Sequence, residues 1–317
     1  MPPARPRKDG ASRASGSKRD PRPATRQQRR AQAARAIADQ RPSWQSPTLI
    51  TSLSVAAIAL VLTVIVLINQ VGGSGNVTAY APLSATVADA VLHPDTTVLN
   101  TVAAGGQSGN LLPVAGGTLL KDASGKPMVV YVGAEYCPFC AAERWSIAIA
   151  LSRFGTFNNL REIESSSTDT RPDTHTLTFY KSTYSSSSID FSATEVQDRA
   201  GKALETMSPA IGSIFTKYDV TPLTLLTGQF PFLDIGNKYV LNNTSYDPEI
   251  LAGLTWDQIA AKMQDPTDPV CKAILGNANF IDAAICLATG DRSSAVATSP
   301  SIQAIEQTLT SETPVAA

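Results

Sequence analysis

Two cysteines, Cys137 and Cys140, stand two residues apart in a Cys-Pro-Phe-Cys sequence and offer the clearest chemistry in the chain. An apolar segment, residues 128–132, precedes them, and a second one, residues 141–154, follows them. This pattern predicts a strand, a short turn and a helix whose N-terminus carries both thiols. In that context the pair indicates thiol–disulfide exchange, because a helix dipole favours a thiolate at its N-terminus.

The two thiols are predicted to have different roles. Cys137 would be the nucleophile, and Cys140, one helical turn further on, would resolve the mixed disulfide. A structural disulfide is the alternative interpretation. Two intervening residues at a helix start make a small strained ring, which suits exchange better than cross-linking.

A cis-proline is expected beside the cysteines, because thioredoxin-like folds place one there to keep a backbone edge open for an extended substrate. Thr221–Pro222 is the predicted position, since a β run follows it. Pro231 is the second candidate. The alternative is an ordinary trans proline at the start of a strand.

Three neighbours of the cysteines are further candidates. Glu135 is predicted to tune the thiolate or to transfer protons, and its alternative is a solvated turn carboxylate. Tyr136 and Phe139 flank the thiols and are predicted to shape a substrate groove.

The remaining cysteines, Cys271 and Cys286, are predicted to form a structural disulfide. Both fall on predicted helices joined at Gly276–Asn277, so an antiparallel helix pair would bring them together. A second redox relay is one alternative. A zinc site using all four thiolates is another, but the spacing is a poor match to paired zinc knuckles, and no metal or other cofactor is predicted.

Charge is distributed unevenly along the chain. Residues 1–47 contain twelve Lys or Arg and three Asp, whereas the rest contains 14 basic and 24 acidic residues. Residues 48–68 carry no charge, and 21 residues are enough to span a bilayer. Because the basic charge lies before this span, we expect a single-pass membrane anchor in contact with lipid, a cytoplasmic N-terminus and an extracytoplasmic main domain. A cleaved signal peptide is the competing interpretation. Nucleic-acid binding is not expected, because no aromatic residues alternate with the basic ones.

The order of predicted elements is a βαβ unit followed by ββα, with helices between the two halves. This is the thioredoxin arrangement, so the predicted fold is α/β, with a central mixed sheet flanked by helices. The insert contains one helix from about 193 to 206, signalled by a capping box at 192–195, and a second one that ends near Tyr218. The predicted organisation is a disordered tail (1–47), a transmembrane helix (48–69), a linker (70–90), a thioredoxin-like domain (91–290, insert about 192–218) and a disordered end (291–317).

The segment 133–155, which contains the two cysteines, resembles the family called domain of unknown function 929. Residues 165–167, 232–240 and 286–290 fit the same family. The resemblance covers roughly residues 85–290 and implies a thioredoxin-like domain that is often anchored in a membrane. One position departs from thioredoxins: Tyr131 stands where they carry a buried acid that accepts the proton of the resolving thiol.

These observations predict a membrane-anchored thiol–disulfide oxidoreductase acting on protein thiols and disulfides, with a membrane protein as a candidate redox partner. The alternative is a non-enzymatic binding or chaperone-like module on the same fold.

Overall fold

The computed structural model describes residues 80–317. The predicted tail (1–47), the predicted membrane span (48–69) and the first part of the predicted linker lie outside the described residues. Those predictions therefore remain untested by the structure.

The described part of the chain forms helices on both sides of a mixed sheet. The helices are α1 (Ala85–Leu92), α2 (Thr96–Val102), α3 (Pro138–Ser152), α4 (Pro209–Tyr218), α5 (Trp256–Lys262), α6 (Pro269–Thr289) and α7 (Pro300–Ser311), with a 3₁₀ turn at Pro248–Leu251. The strands are β1 (Ala81–Pro82), β2 (Leu111–Pro113), β3 (Met128–Gly133), β4 (Thr156–Asn158), β5 (Arg161–Glu164), β6 (His175–Thr178), β7 (Thr183–Ser185), β8 (Asp190–Glu195), β9 (Phe232–Ile235) and β10 (Tyr239–Leu241).

Five strands form the central sheet in the order β2-β10-β9-β3-β8. Strand β3 pairs in parallel with β8 and antiparallel with β9, so the sheet is mixed. A parallel pair needs a crossover connection, and α3 provides it between β3 and β8. Two smaller antiparallel sheets, β1-β5-β6 and β4-β7, complete the described strands.

The central sheet is buried on both faces because successive side chains of a strand point to opposite sides. From β3, Val129 and Tyr131 join the large hydrophobic core that contains α3 and α6. Val130 and Val132 join a smaller cluster on the other face, with Ile211 of α4. The continuous apolar run of β3 follows from this two-sided burial.

Helix α3 carries the two cysteines and lies against α6. It confirms the helix predicted after Cys140. Cys137 is its N-cap residue and Pro138 occupies the first turn, where a missing N–H costs no hydrogen bond. Almost every residue of the helix is buried, including Trp145, so packing holds the motif rigidly.

The helix predicted from about 193 to 206 is wrong. Residues 192–195 lie in β8 and pair with Val130–Gly133 of β3. The capping-box pattern is a local signal only, and the backbone groups of β3 require a partner when they are buried. Phe191 and Ala193 pack against the large core, which favours a strand. The second predicted insert helix is confirmed as α4.

The predicted disulfide between Cys271 and Cys286 is also wrong in this structure. Both residues lie on the continuous helix α6, and both are free cysteines. Fifteen residues of helix separate their Cα atoms by about 22 Å, whereas a disulfide needs about 4.4–6.8 Å. The sequence predicted a break at Gly276, but the helix continues through this residue. The glycine instead allows another segment to approach closely, since an added Cβ would be 2.5 Å from the carbonyl oxygen of Ala104.

We expect both of these thiols to remain reduced in the purified protein. Unfolded in denaturant without reductant, the chain should take up one alkyl group at Cys271 and one at Cys286, because neither has a partner within bonding distance. Peptide mass spectrometry after iodoacetamide treatment measures this. A disulfide-linked peptide joining the two residues would contradict the observed helix.

Helix α6 is, among residues 80–317, the one helix long and apolar enough to cross a membrane. Most of it is buried inside the domain, where it packs on α3 and α7. We interpret it as the central helix of the core.

Two predicted domain bounds are corrected by the structure. Helix α7 lies in the segment predicted to be a disordered end, and α1 shows that residues 85–90 belong to the folded domain rather than to a linker.

Candidate functional site

The Cys137 sulfur lies at the N-terminus of α3. It accepts a hydrogen bond from the backbone N–H of Cys140, with a nitrogen–sulfur distance of 3.4 Å. Cys137 is 7 % exposed and Cys140 is fully buried, so Cys137 is the outer of the two sulfurs. Both cysteines are free thiols. The predicted difference in position between nucleophile and resolving thiol is therefore present.

An apolar wall covers most of the outer sulfur. Ala134 and the two cysteines form a small buried cluster, packed against the half-buried side chains of Tyr136, Phe139, Val196 and Phe230. The Cys137 thiol lies 3.9 Å from the carbonyl oxygen of Phe230 and is oriented to donate to it. A partner sulfur must pass this wall to reach Cys137.

The structure has cis peptide bonds at both Thr221–Pro222 and Phe230–Pro231. The cis bond predicted at Pro222 is therefore confirmed. The backbone beside Cys137, however, is that of Phe230, which precedes the second candidate, Pro231. Strand β9, the antiparallel neighbour of β3, begins at Phe232, directly after Pro231. Thr221 and Pro222 are exposed residues at the start of the preceding loop, held by a hydrogen bond from Asn242 to Leu223.

The two thiols differ in acidity. The pKa of Cys137 is lowered, first by a hydrogen bond from the Cys140 thiol and further by the backbone N–H of Cys140 and the charge of Arg144. Burial raises the pKa of Cys140 well above its ordinary value. At neutral pH the thiolate therefore forms preferentially on Cys137, as a nucleophile at this position requires.

A buried ion pair lies beneath the cysteines and is absent from the sequence-based prediction. Arg144 of α3 and Glu195 of β8 have fully buried side chains joined by hydrogen bonds of 2.8 Å. Arg144 also donates to the carbonyl oxygen of Ala134 at 2.7 Å. The sequence could have indicated Arg144 as a neighbour of the thiols, because it follows Cys140 by four residues and such residues share a helix face.

Glu135 is fully buried, so the solvated alternative is wrong. Its carboxylate accepts hydrogen bonds from the hydroxyls of Thr178 at 2.6 Å and Tyr80 at 3.0 Å. Burial raises its pKa from 4.5 to about 7. Glu195 and Arg144 also act on it electrostatically, so Glu135 belongs to the same buried polar network.

A polar groove opens beside the motif. It has a volume of about 280 Å³ and is lined by Tyr136, by Ser166 and Thr168 of one loop, and by Gln197 and Arg199 of the segment after β8. The prediction that Tyr136 helps to shape a groove agrees with this position. Phe139 lies in the apolar wall instead.

One family model, described as a domain of unknown function (DUF929), matches residues 121–287. The chain belongs to this family. No curated protein and no solved structure matches the chain. The DUF929 match is narrower than the range expected from the sequence. It includes all four cysteines, the Arg144–Glu195 pair and Phe230, and it leaves out α1, α2, α7, β1 and β2.

The apolar wall of this DUF929 domain should slow the reaction of Cys137 with reagents from solvent. We expect Phe230→Ala to increase the rate of Cys137 alkylation by iodoacetamide severalfold at neutral pH, because the Phe230 side chain packs against the small buried cluster that contains Cys137. Site-resolved mass spectrometry measures the rate. Phe191→Ala, which removes another half-buried ring from the large core, is the control and should leave the rate unchanged. Equal rates in Phe230→Ala and the unmodified protein would show that the wall does not limit access.

Glu135 predicts a pH dependence of stability. Its pKa is raised from 4.5 in the unfolded chain to about 7 in the fold, so its contribution is complete below about pH 4.5 and is lost as the pH rises through about 7. Glu135→Gln should reduce the fall in unfolding free energy across this window by up to about 3 kcal/mol. Urea unfolding at about pH 4.5 and about pH 7 measures the free energy of unfolding of both proteins. Glu249→Gln, on the surface, should keep the original slope, and an unchanged slope in Glu135→Gln would contradict the assignment.

Proposed function

We propose that the chain is a membrane-anchored, extracytoplasmic thiol–disulfide oxidoreductase that uses Cys137 and Cys140 on protein substrates. One observation carries this proposal: an acidified thiol at a helix N-terminus lies one turn from a buried second thiol. Dithiol exchange requires this pairing of an outer thiolate and a protected resolving thiol, and a client would reach the outer one by displacing part of the apolar wall. Residues 48–68 would anchor the chain in lipid, and the oxidising compartment outside the membrane would supply the substrates.

The order of elements supports a thioredoxin-like fold. Strand β3, helix α3 and strand β8 form a parallel βαβ unit, and β9, β10 and α6 follow as ββα. The helix α4 lies between the two halves, as expected for the insert. In this arrangement the cysteines and the residues just before β9 meet at one end of the sheet.

The proposal is tested with the full-length protein in detergent. It should reduce the disulfides of insulin in the presence of a thiol reductant, or accelerate the oxidative refolding of a reduced protein. Both activities depend on the thiols, so Cys137→Ser and Cys140→Ser are the deciding variants. Equal activity of the variants and the unmodified protein would remove the enzymatic proposal.

A second candidate is a non-enzymatic binding or chaperone-like module, favoured by two exposed leucines. Leu225 is 56 % and Leu226 is 65 % exposed in the loop before Phe230. Such side chains suit contact with an apolar segment of another protein. Leu225→Ser/Leu226→Ser should weaken binding of an unfolded client protein, measured by light scattering of its aggregation. If suppression of aggregation persists in Cys137→Ser and is lost in the leucine variant, this candidate is favoured.

A further inference from the structure

A buried polar cluster lies near Cys140. We call it the Arg144 cluster and define it as Tyr131, Arg144 and Glu195. All three side chains are fully buried. Arg144 acts electrostatically on Cys140, and both of them act on Tyr131. Arg144 follows Cys140 by four residues on α3, so the guanidinium and the thiol lie on the same helix face.

Two donors in this cluster lack a hydrogen-bond partner within residues 80–317. They are the Nη1 atom of Arg144 and the hydroxyl of Tyr131. The remaining nitrogens of Arg144 are used: Nε and Nη2 donate to Glu195, and Nη2 also donates to Ala134. Buried polar atoms are nearly always paired, so two unpaired donors in one buried cluster call for an explanation.

We propose that Arg144 is the counter-ion of the Cys140 thiolate, with Glu195 holding its guanidinium so that Nη1–H can receive the negative sulfur. This inference rests on the proposed redox function. The unpaired hydroxyl of Tyr131 is the second donor that the cluster holds available for the thiolate. The cluster therefore differs from the buried acid of thioredoxins: it accepts no proton, and it stabilises the thiolate by positive charge and hydrogen bonds.

The exchange takes place in two steps. The Cys137 thiolate attacks a client disulfide, forms a mixed disulfide and releases the first client sulfur as a thiolate. Cys140 then gives its proton to the released client thiolate, and its own thiolate attacks the Cys137 sulfur, which forms the Cys137–Cys140 disulfide and releases the second client sulfur as a thiolate. The client disulfide is reduced by two electrons and the dithiol is oxidised. One client sulfur takes the Cys140 proton, and the other takes back from solvent the proton that Cys137 lost on ionising. Arg144 acts in the second step, because only there does charge develop on Cys140.

Arg144 can be tested by the lifetime of a mixed disulfide. The reduced full-length protein is mixed with oxidised glutathione, quenched with acid at intervals and analysed by intact-mass spectrometry. Arg144→Met/Glu195→Met removes the ion pair without leaving a buried charge unpaired. We expect the glutathione adduct on Cys137 to persist at least about tenfold longer in this variant, because each unit of thiol pKa changes the thiolate fraction about tenfold.

The matched control is Arg153→Met/Asp282→Met. It removes another buried ion pair, between the C-cap residue of α3 and Asp282 of α6, at the end of α3 opposite to the cysteines, and should leave the adduct lifetime unchanged. Arg144→Lys retains a positive charge and should give an intermediate lifetime. The rate at which the mixed disulfide resolves should rise with pH, and in Arg144→Met/Glu195→Met this rise should occur about one pH unit higher. A purely structural role of Arg144 would not shift the pH dependence.

The outcomes separate this inference from the proposed function. A normal adduct that resolves equally fast in the Arg144 variant and the unmodified protein would overturn the inference and leave the redox function standing. Equal slowing in the Arg153 control would overturn it too. If the unmodified protein formed neither an adduct nor a Cys137–Cys140 disulfide, the redox function itself would fail.

Discussion

Cys137→Ser should lose all thiol–disulfide exchange, whereas Cys140→Ser should carry out the first attack and then stop. The reason is the asymmetry of the site: the outer thiol has the lowered pKa, and the buried thiol can act only on a mixed disulfide already formed at Cys137. Insulin reduction measures the loss in the first variant. Non-reducing gel electrophoresis measures the covalent client adducts that accumulate in the second.

The matched control for this experiment is Cys271→Ser/Cys286→Ser. These two thiols are buried in α6 and lie outside the small cluster that contains Cys137, so the double variant should exchange at the normal rate. Trapping with Cys140→Ala in cells would extend the result by identifying the clients joined to Cys137. Adducts that form equally in Cys137→Ser/Cys140→Ala would show that another residue is the attacking group.

Arg144→Met alone should destabilise the domain strongly. It leaves Glu195 fully buried without its partner, and breaking a buried pair in this way costs about 3–5 kcal/mol. For a domain of this size, that free-energy change corresponds to a Tm lowered by about 10 °C. Thermal unfolding followed by circular dichroism measures the change.

Two further variants determine whether the unpaired charge is the cause. Arg144→Met/Glu195→Met should recover much of the loss, because apolar side chains often replace a buried pair at little cost. Arg171→Met, which removes an exposed pair with Asp247 and Glu249, should leave the Tm nearly unchanged. A Tm in the Arg144 single variant close to that of Arg171→Met would mean that the buried pair adds little to stability.

Local signals predicted the elements around the dithiol well. The apolar run at 128–132 forms β3, and the helix that follows carries Cys137 at its N-cap with Pro138 after it. Caps and turns depend on contacts within a few residues, so they are readable without the fold. The capping box at Thr255 and Gln258 is present at the start of α5 for the same reason.

Local signals failed where distant contacts outweigh them. The capping-box pattern at 192–195 lies in β8 because pairing with β3 satisfies its backbone. Gly276 resembles a helix end in the sequence, but in the fold it permits the close approach of α6 to Ala104. The end of the chain, rich in Ser, Thr and Ala, forms α7 because Ile302, Ile305 and Leu309 pack into the large core.

The sequence by itself determined the chemistry available to this protein: two thiols at the start of a buried helix, with Pro138 between them. Tertiary structure decided what surrounds them. Phe230 reaches Cys137 from 93 positions away, and Glu195 reaches Arg144 across 51 positions. Which residues meet over such distances depends on how strands pair and helices pack, and that information is spread over the whole core rather than held in any short segment.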